Sequence, residues 1–177
     1  GFVFALANAN ALVISGQAER VLVIGAETFS RIMDWTDRGT CVLFGDGAGA
    51  LIIERSTGDG TKADRGILAT DLNSDGSYRD ILYVDGGVNA PDAGKLRMEG
   101  KEVFRHAVEK LAATAHTAMA KCDVTADDGA WVVPHQANLR IIKATATKMG
   151  LPMERVVVTV PDHGNTSAAS IPLALSV

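Results

Sequence analysis

The sequence predicts an α/β fold with a mostly parallel sheet covered on both faces. Three observations carry that prediction. Short apolar runs alternate with helical patterns along the chain, the arrangement that buries a sheet between layers of helix. Val21 to Gly25 is apolar without alternation, as central strands covered on both faces are. Two further strand-like runs, Trp131-Val132-Val133 and Val156 to Val160, lead into the polar motifs Pro134-His135-Gln136-Ala137-Asn138 and His163-Gly164-Asn165-Thr166-Ser167. Ligands and chemistry collect at the carboxyl ends of strands in open α/β sheets, where helix N-termini also point. His135 and Asn165, delivered to two such ends, are candidate hydrogen-bond donors to one developing negative charge.

The elements follow in order. Residues 2–15 read as a helix closing at Gly16, a residue suited to the left-handed position after a helix. After strand 21–25, residues 27–40 are polar and turn-rich. Cys41 to Phe44 and Ala48 to Ile53 read as strands around Gly45-Asp46-Gly47-Ala48-Gly49. Ser56 to Arg65 has linker composition, and Gly66 to Leu72 and Ile81 to Val84 read as strands. Met98 to Lys121 is a long amphipathic helix with Val103, Ala107, Leu111 and Ala115 on one face. Strand 131–133, helix 138–149, strand 156–160 and helix 165–176 complete the pattern. The first helix opens without cap or initiator Met, and the chain stops inside the last one, so truncation at both ends is expected.

Composition sets the outer limits. The 177 residues are 47% apolar and 21% charged, enough for a sizeable core in a soluble globular protein. A net charge of −4 with no Lys/Arg run leaves no footprint for nucleic acid. The most apolar run, Phe2 to Ile14, is interrupted by Asn8 and Asn10 and falls short of the roughly 18 residues that span a membrane. Two cysteines, Cys41 and Cys122, make no secreted disulfide framework. The expectation is a reduced, cytoplasmic protein.

Each candidate carries a structural reading beside the functional one. His135 is either a bonded histidine at a strand–helix junction or a catalytic group, and Asn165 is either a helix cap or a donor. Asn138 has the residue type of an N-cap for helix 138–149. Cys41 lies in an apolar run, yet Cys41, His135 and Asn165 stand in the chain order of a cysteine hydrolase, which is kept as an alternative. Asp71 to Gly76 matches the first half of a calcium loop, but Leu82 stands where the bidentate Glu belongs, so a turn and no metal is expected. Gly45 to Gly49 lacks the spacing of a phosphate loop and reads as close backbone packing. His106 and His116 read as surface residues. Arg38 is placed to hold a phosphate or to pair with Asp37. Arg140, Lys143 and Lys148 form either a solvated helix face or a basic patch for an anionic partner.

Taken together, Thr36 to Thr40 (TDRGT), Phe44 to Ala50 (FGDGAGA), Met98-x-Gly100-x-x-Val103-Phe104, Val133 to Ile142 (VPHQANLRII) and His163 to Ser170 (HGNTSAAS) resemble β-ketoacyl-acyl-carrier-protein synthase III. The resemblance runs in order along essentially the whole chain. It implies a thiolase-like fold and a cytoplasmic homodimer that condenses an acyl-CoA with malonyl-acyl-carrier protein without a cofactor. It implies a Cys-His-Asn site in which His135 and Asn165 stabilise the oxyanion formed as carbon dioxide leaves. Arg38 and Phe104 then match the CoA channel, with Gly100, Ala137 and Asn138 beside the pantetheine path. Gln136, Ala137, Asn138, Leu139 and Arg140 match the segment that docks an acidic carrier protein.

The departures are equally specific. The family's nucleophilic Cys falls two positions before Gly1, at the N-terminus of helix 2–15, and neither Cys41 nor Cys122 matches it. Lys101 stands where some relatives carry Asn. Residues 1–56 are expected to end one thiolase-like half, 57–65 to link, and 66–177 to form most of the second. A non-catalytic module binding CoA or carrier protein would retain Arg38 and Arg140 without needing the two strand-end motifs.

Overall fold

The computed structural model describes residues 1–59, 61–87, 94–129 and 131–177, so Gly60 of the expected linker lies outside it. Helix α1 is Phe2–Ile14. It closes as its sequence predicts: Gly16 takes φ +73°, its N–H reaches Val13 O at 3.1 Å, and Gln17 N–H reaches Leu12 O at 3.0 Å.

Strands β1 (Arg20–Glu27) and β2 (Gly47–Glu54) pair antiparallel from Arg20↔Glu54 to Glu27↔Gly47. The expected parallel partner for β1 is therefore not found among the described residues. An unbroken apolar run carries no information about the direction of the neighbouring strand, and the expected cover on both faces is likewise not found among the described residues. Phe2 and Ala9 of α1 pack with Val23 against one face, together with Leu51, Ile53, Ala168 and Ile171. The other face presents Leu22, Ile24 and Ile52, which are 60%, 60% and 65% exposed.

Glycines on this ribbon confirm the close-packing reading of the Gly45–Gly49 segment. A Cβ on Gly49 would come 2.9 Å from Pro172 Cβ, and one on Gly25 would strike the Ala168 carbonyl. Residues 168–172 thus lie directly on the ribbon.

Cys41 to Phe44 forms turns rather than a strand, ending in one parallel bridge from Phe44 to Asn165. Gly66 to Leu72 is also not a strand. Strands β3 (Leu82–Val84) and β4 (Leu96–Met98) form a second antiparallel pair. The carboxylates of the calcium-loop look-alike tie that segment to helix α2 (Gly100–Lys121): Asp71 meets Lys121 at 2.7 Å and Asp75 meets Lys110 at 3.3 Å. His106 departs from the expected surface position; its half-buried ring lies 4.2 Å from that of Tyr78.

Helix α3 is Leu139–Lys148, capped as predicted by Asn138, whose side chain accepts Ile141 N–H at 2.9 Å. The runs 131–133 and 156–160 shrink to one parallel bridge, Val132↔Val156, and Val160 opens the short helix α4 (Val160–His163). The expected last helix divides into a 3-10 turn, Ser167–Ala169, and helix α5, Ser170–Leu175. Ile142 and Ala146 of α3 pack on Val156 as a second core beneath the two strand ends. No described helix is long and apolar enough to cross a membrane.

Candidate active site

The two strand-end motifs converge, and side chains hold them together. Gln136 is 1% exposed and all four of its hydrogen-bonding sites are engaged. Its Oε1 accepts Thr159 N–H at 2.8 Å and Val160 N–H at 3.1 Å. Its Nε2 donates to Pro134 O at 2.9 Å and Val157 O at 3.1 Å. Backbone groups left over where the Val132–Val156 ladder ends are satisfied by this one amide. The docking-segment expectation for Gln136 is thereby corrected for its side chain, which faces inward. Leu139 and Arg140 are the exposed members of that segment.

Asn165 is fixed from another direction. Its N–H donates to Leu43 O at 2.8 Å, and its carbonyl accepts Gly45 N–H at 3.0 Å. The seam is tight enough that a Cβ on Gly45 would lie 2.5 Å from His163 O. The side-chain oxygen accepts Ser167 N–H at 3.0 Å, with Ser167 in the left-handed region at φ +47°. The Asn165 amide nitrogen has no partner among the described residues, so its two N–H donors stay available. Asn165 thus orders its own turn rather than capping α5.

His135 is half-buried with Nδ1 2.7 Å from Ser170 Oγ. Burial, which penalises the charged imidazolium, lowers its pKa to about 4. The imidazole is therefore neutral at pH 7.

Both side chains line one cavity of about 980 Å³, together with Gly100, Phe104, Ala137, Asn138, Leu139 and Arg140. Two predicted residues stay outside its lining. One is Gln136. The other is Arg38, which is exposed on a turn where the Asp37 carboxylate accepts Gly39 N–H and Thr40 Oγ–H rather than pairing with it. Lys101 and Arg140 put positive charge at the exposed end, the Arg140 guanidinium 5.4 Å from the centre of the Phe104 ring.

Sequence reasoning missed the apolar wall contributed by Phe29, Leu82, Tyr83 and Leu96. Phe29 sits in a polar stretch and stacks on Phe44 at 4.9 Å, a contact with no local signature. It also missed the Ser170 contact with His135. Cys41 and Cys122 are free thiols, and neither lines the cavity, so the Cys41-His135-Asn165 arrangement is not assembled.

The family model for 3-oxoacyl-[acyl-carrier-protein (ACP)] synthase III matches residues 1–76, and that for the synthase III C terminal matches residues 119–177. The chain belongs to the synthase III family. It is 74% identical over 177 residues to the β-ketoacyl-[acyl-carrier-protein] synthase III of Ruegeria sp. (strain TM1040), covering 100% of this chain and 55% of the relative. It is 76% identical over 178 residues to that of Dinoroseobacter shibae, with the same coverage. The solved synthase III from Aquifex aeolicus VF5 superimposes with a TM-score of 0.90 at 45% identity, covering 99% of this chain and 54% of that one. The chain thus spans about half the length of the synthase III proteins it matches, and its fold is their thiolase-like α/β class.

Proposed function

We propose that this chain supplies the decarboxylating part of a synthase III site, which condenses an acyl-CoA primer with malonyl-acyl-carrier protein to give a 3-ketoacyl-acyl-carrier protein. The observation that carries this reading is one cavity lined by a neutral His135, an Asn165 amide with free N–H groups, and the cationic Lys101 and Arg140. When malonyl thioester loses carbon dioxide, the electron pair of the breaking bond moves onto the α-carbon and into the thioester oxygen. Two preorganised neutral donors stabilise that oxyanion, each worth about 3–4 kcal/mol in comparable sites. The carbanion then attacks the acyl-enzyme carbonyl, and the enzyme's thiolate leaves.

That covalent step needs a nucleophile, which we assign to a Cys two positions before Gly1 in the longer polypeptide. Gly1 lies against the segment that carries Asn165: a Cβ there would be 3.1 Å from Ala168 Cβ. A thiol at the N-terminus of α1 would have its pKa lowered by the helix dipole. The thiolate adds to the acyl-CoA carbonyl and CoA thiolate departs, so the cycle needs no cofactor. Arg140 and Leu139, exposed at the start of α3, meet the acidic carrier, while Arg38 serves the CoA phosphates from its turn. We read residues 1–56 and 66–177 as parts of the two thiolase-like halves, joined by 57–65.

In the full-length polypeptide, His135→Ala or Asn165→Ala should reduce release of labelled carbon dioxide from malonyl-carrier protein about 10²–10³-fold. Transfer of the acyl group from CoA to the enzyme should persist. Loss of acyl transfer with decarboxylation intact would overturn these roles.

A further inference from the structure

We propose that Ser170 positions His135: its hydroxyl donates to Nδ1 and keeps the ring's single proton on Nε2, the nitrogen left for the cavity. Ser170 is 1% exposed, so protein groups decide where its one proton goes. Its Oγ has three polar neighbours: Gln136 N–H at 3.3 Å, Ser167 O at 2.8 Å and His135 Nδ1 at 2.7 Å. The first can only donate to Oγ. The second already receives the Ser170 backbone N–H that closes the 3-10 turn, so it does not depend on the hydroxyl. Nδ1 has no other partner among the described residues.

The 2.7 Å separation lies at the short end of the range for an N–H donating to oxygen and is compatible with a hydroxyl donor. A neutral imidazole carries one proton, so accepting at Nδ1 places it on Nε2. Two elements distant in sequence, the 134–136 junction and the start of α5, thereby meet on a single oxygen. This inference rests on the decarboxylation reading, in which a protonated Nε2 and the Asn165 amide face one oxyanion.

The test uses the full-length protein labelled with ¹⁵N at histidine and long-range ¹H–¹⁵N correlation near pH 7. The native protein should show His135 protonated at Nε2 and bare at Nδ1. Ser170→Ala should give mixed tautomers. It should slow decarboxylation about 10-fold or more, less than outright loss of a donor, while acyl transfer from CoA stays within a few-fold. Ser170→Thr, which keeps the hydroxyl, should restore the Nε2 tautomer and most of the rate. A proton on Nδ1 in the native protein would overturn the proposal, as would an unchanged tautomer in Ser170→Ala. If Ser170→Ala does not fold, the native spectrum alone decides. A native protein that releases no carbon dioxide would remove the functional reading, while the spectrum would still decide the role of Ser170.

Discussion

Gln136→Leu tests whether one amide holds the two strand ends together. Leucine is similar in size and apolar, so the substitution leaves little cavity but removes all four hydrogen bonds. Thr159 N–H, Val160 N–H, Pro134 O and Val157 O would lose the partner they now have at 2.8–3.1 Å, around a side chain that is 1% exposed. Burying an unsatisfied backbone group costs about 1–3 kcal/mol, so even the low end sums to about 4 kcal/mol. That is a large share of the roughly 5–15 kcal/mol that holds a typical protein folded. Urea denaturation of the full-length protein, with Gln17→Leu as an exposed control, measures it. The control should change stability by no more than about 0.5 kcal/mol. A loss below about 1 kcal/mol for Gln136→Leu would mean that water or a rearranged backbone replaces the clamp, and would refute the reasoning.

Three further outcomes follow. The folded-state pKa of His135 is depressed to about 4, against an ordinary unfolded value near 6.5. The unfolded chain therefore binds this proton first, so stability falls as pH drops below about 6.5 and levels off below about 4, by up to about 3 kcal/mol. His135→Gln should flatten that part of the stability–pH curve. Arg140→Ala should raise KM for malonyl-carrier protein about 10-fold with kcat little changed, and the difference should shrink at high salt; an unchanged KM would move carrier docking off α3. Gly45→Ala forces a methyl to 2.5 Å from His163 O, which should destabilise the protein by about 1–3 kcal/mol and displace Asn165. Full stability and activity in Gly45→Ala would show that the 43–45 seam yields.

Helices α1, α2 and α3 and their ends were legible in the sequence because their signals are local, whereas α4 and the division of the last helix were not. Gly16 closes α1, and Asn138 caps α3. Strand pairing was not. Val21 to Gly25 reads as a strand covered on both faces, but among the described residues one face leaves Leu22 and Ile24 60% exposed, and its partner at 47–54 is antiparallel. The site was half legible. His135 and Asn165 stand out because polar residues follow apolar runs, and both reach one cavity. Gln136 was misassigned because a residue inside a docking motif looks like a contact residue until the 157–160 segment folds over it. Ser170 was unreadable for the same reason: its contacts with Gln136 and His135 span 34 and 35 residues.

That pattern follows from where the regular ladder stops. A continuing strand would satisfy its own backbone through its neighbours and would alternate its side chains between the two faces. Here the ladder between 132 and 156 ends after a single bridge, so positions 134–136 and 157–160 leave the two-residue period. His135 lines the cavity and Gln136 points into the body of the protein. The backbone groups freed in this way still need partners once buried, and side chains from the same segment take them. Rigidity at the site is therefore carried by Gln136, Ser170 and the close approach at Gly45 rather than by sheet. Substitutions at those three positions should disturb the geometry of His135 and Asn165 more than substitutions in the β1–β2 ribbon.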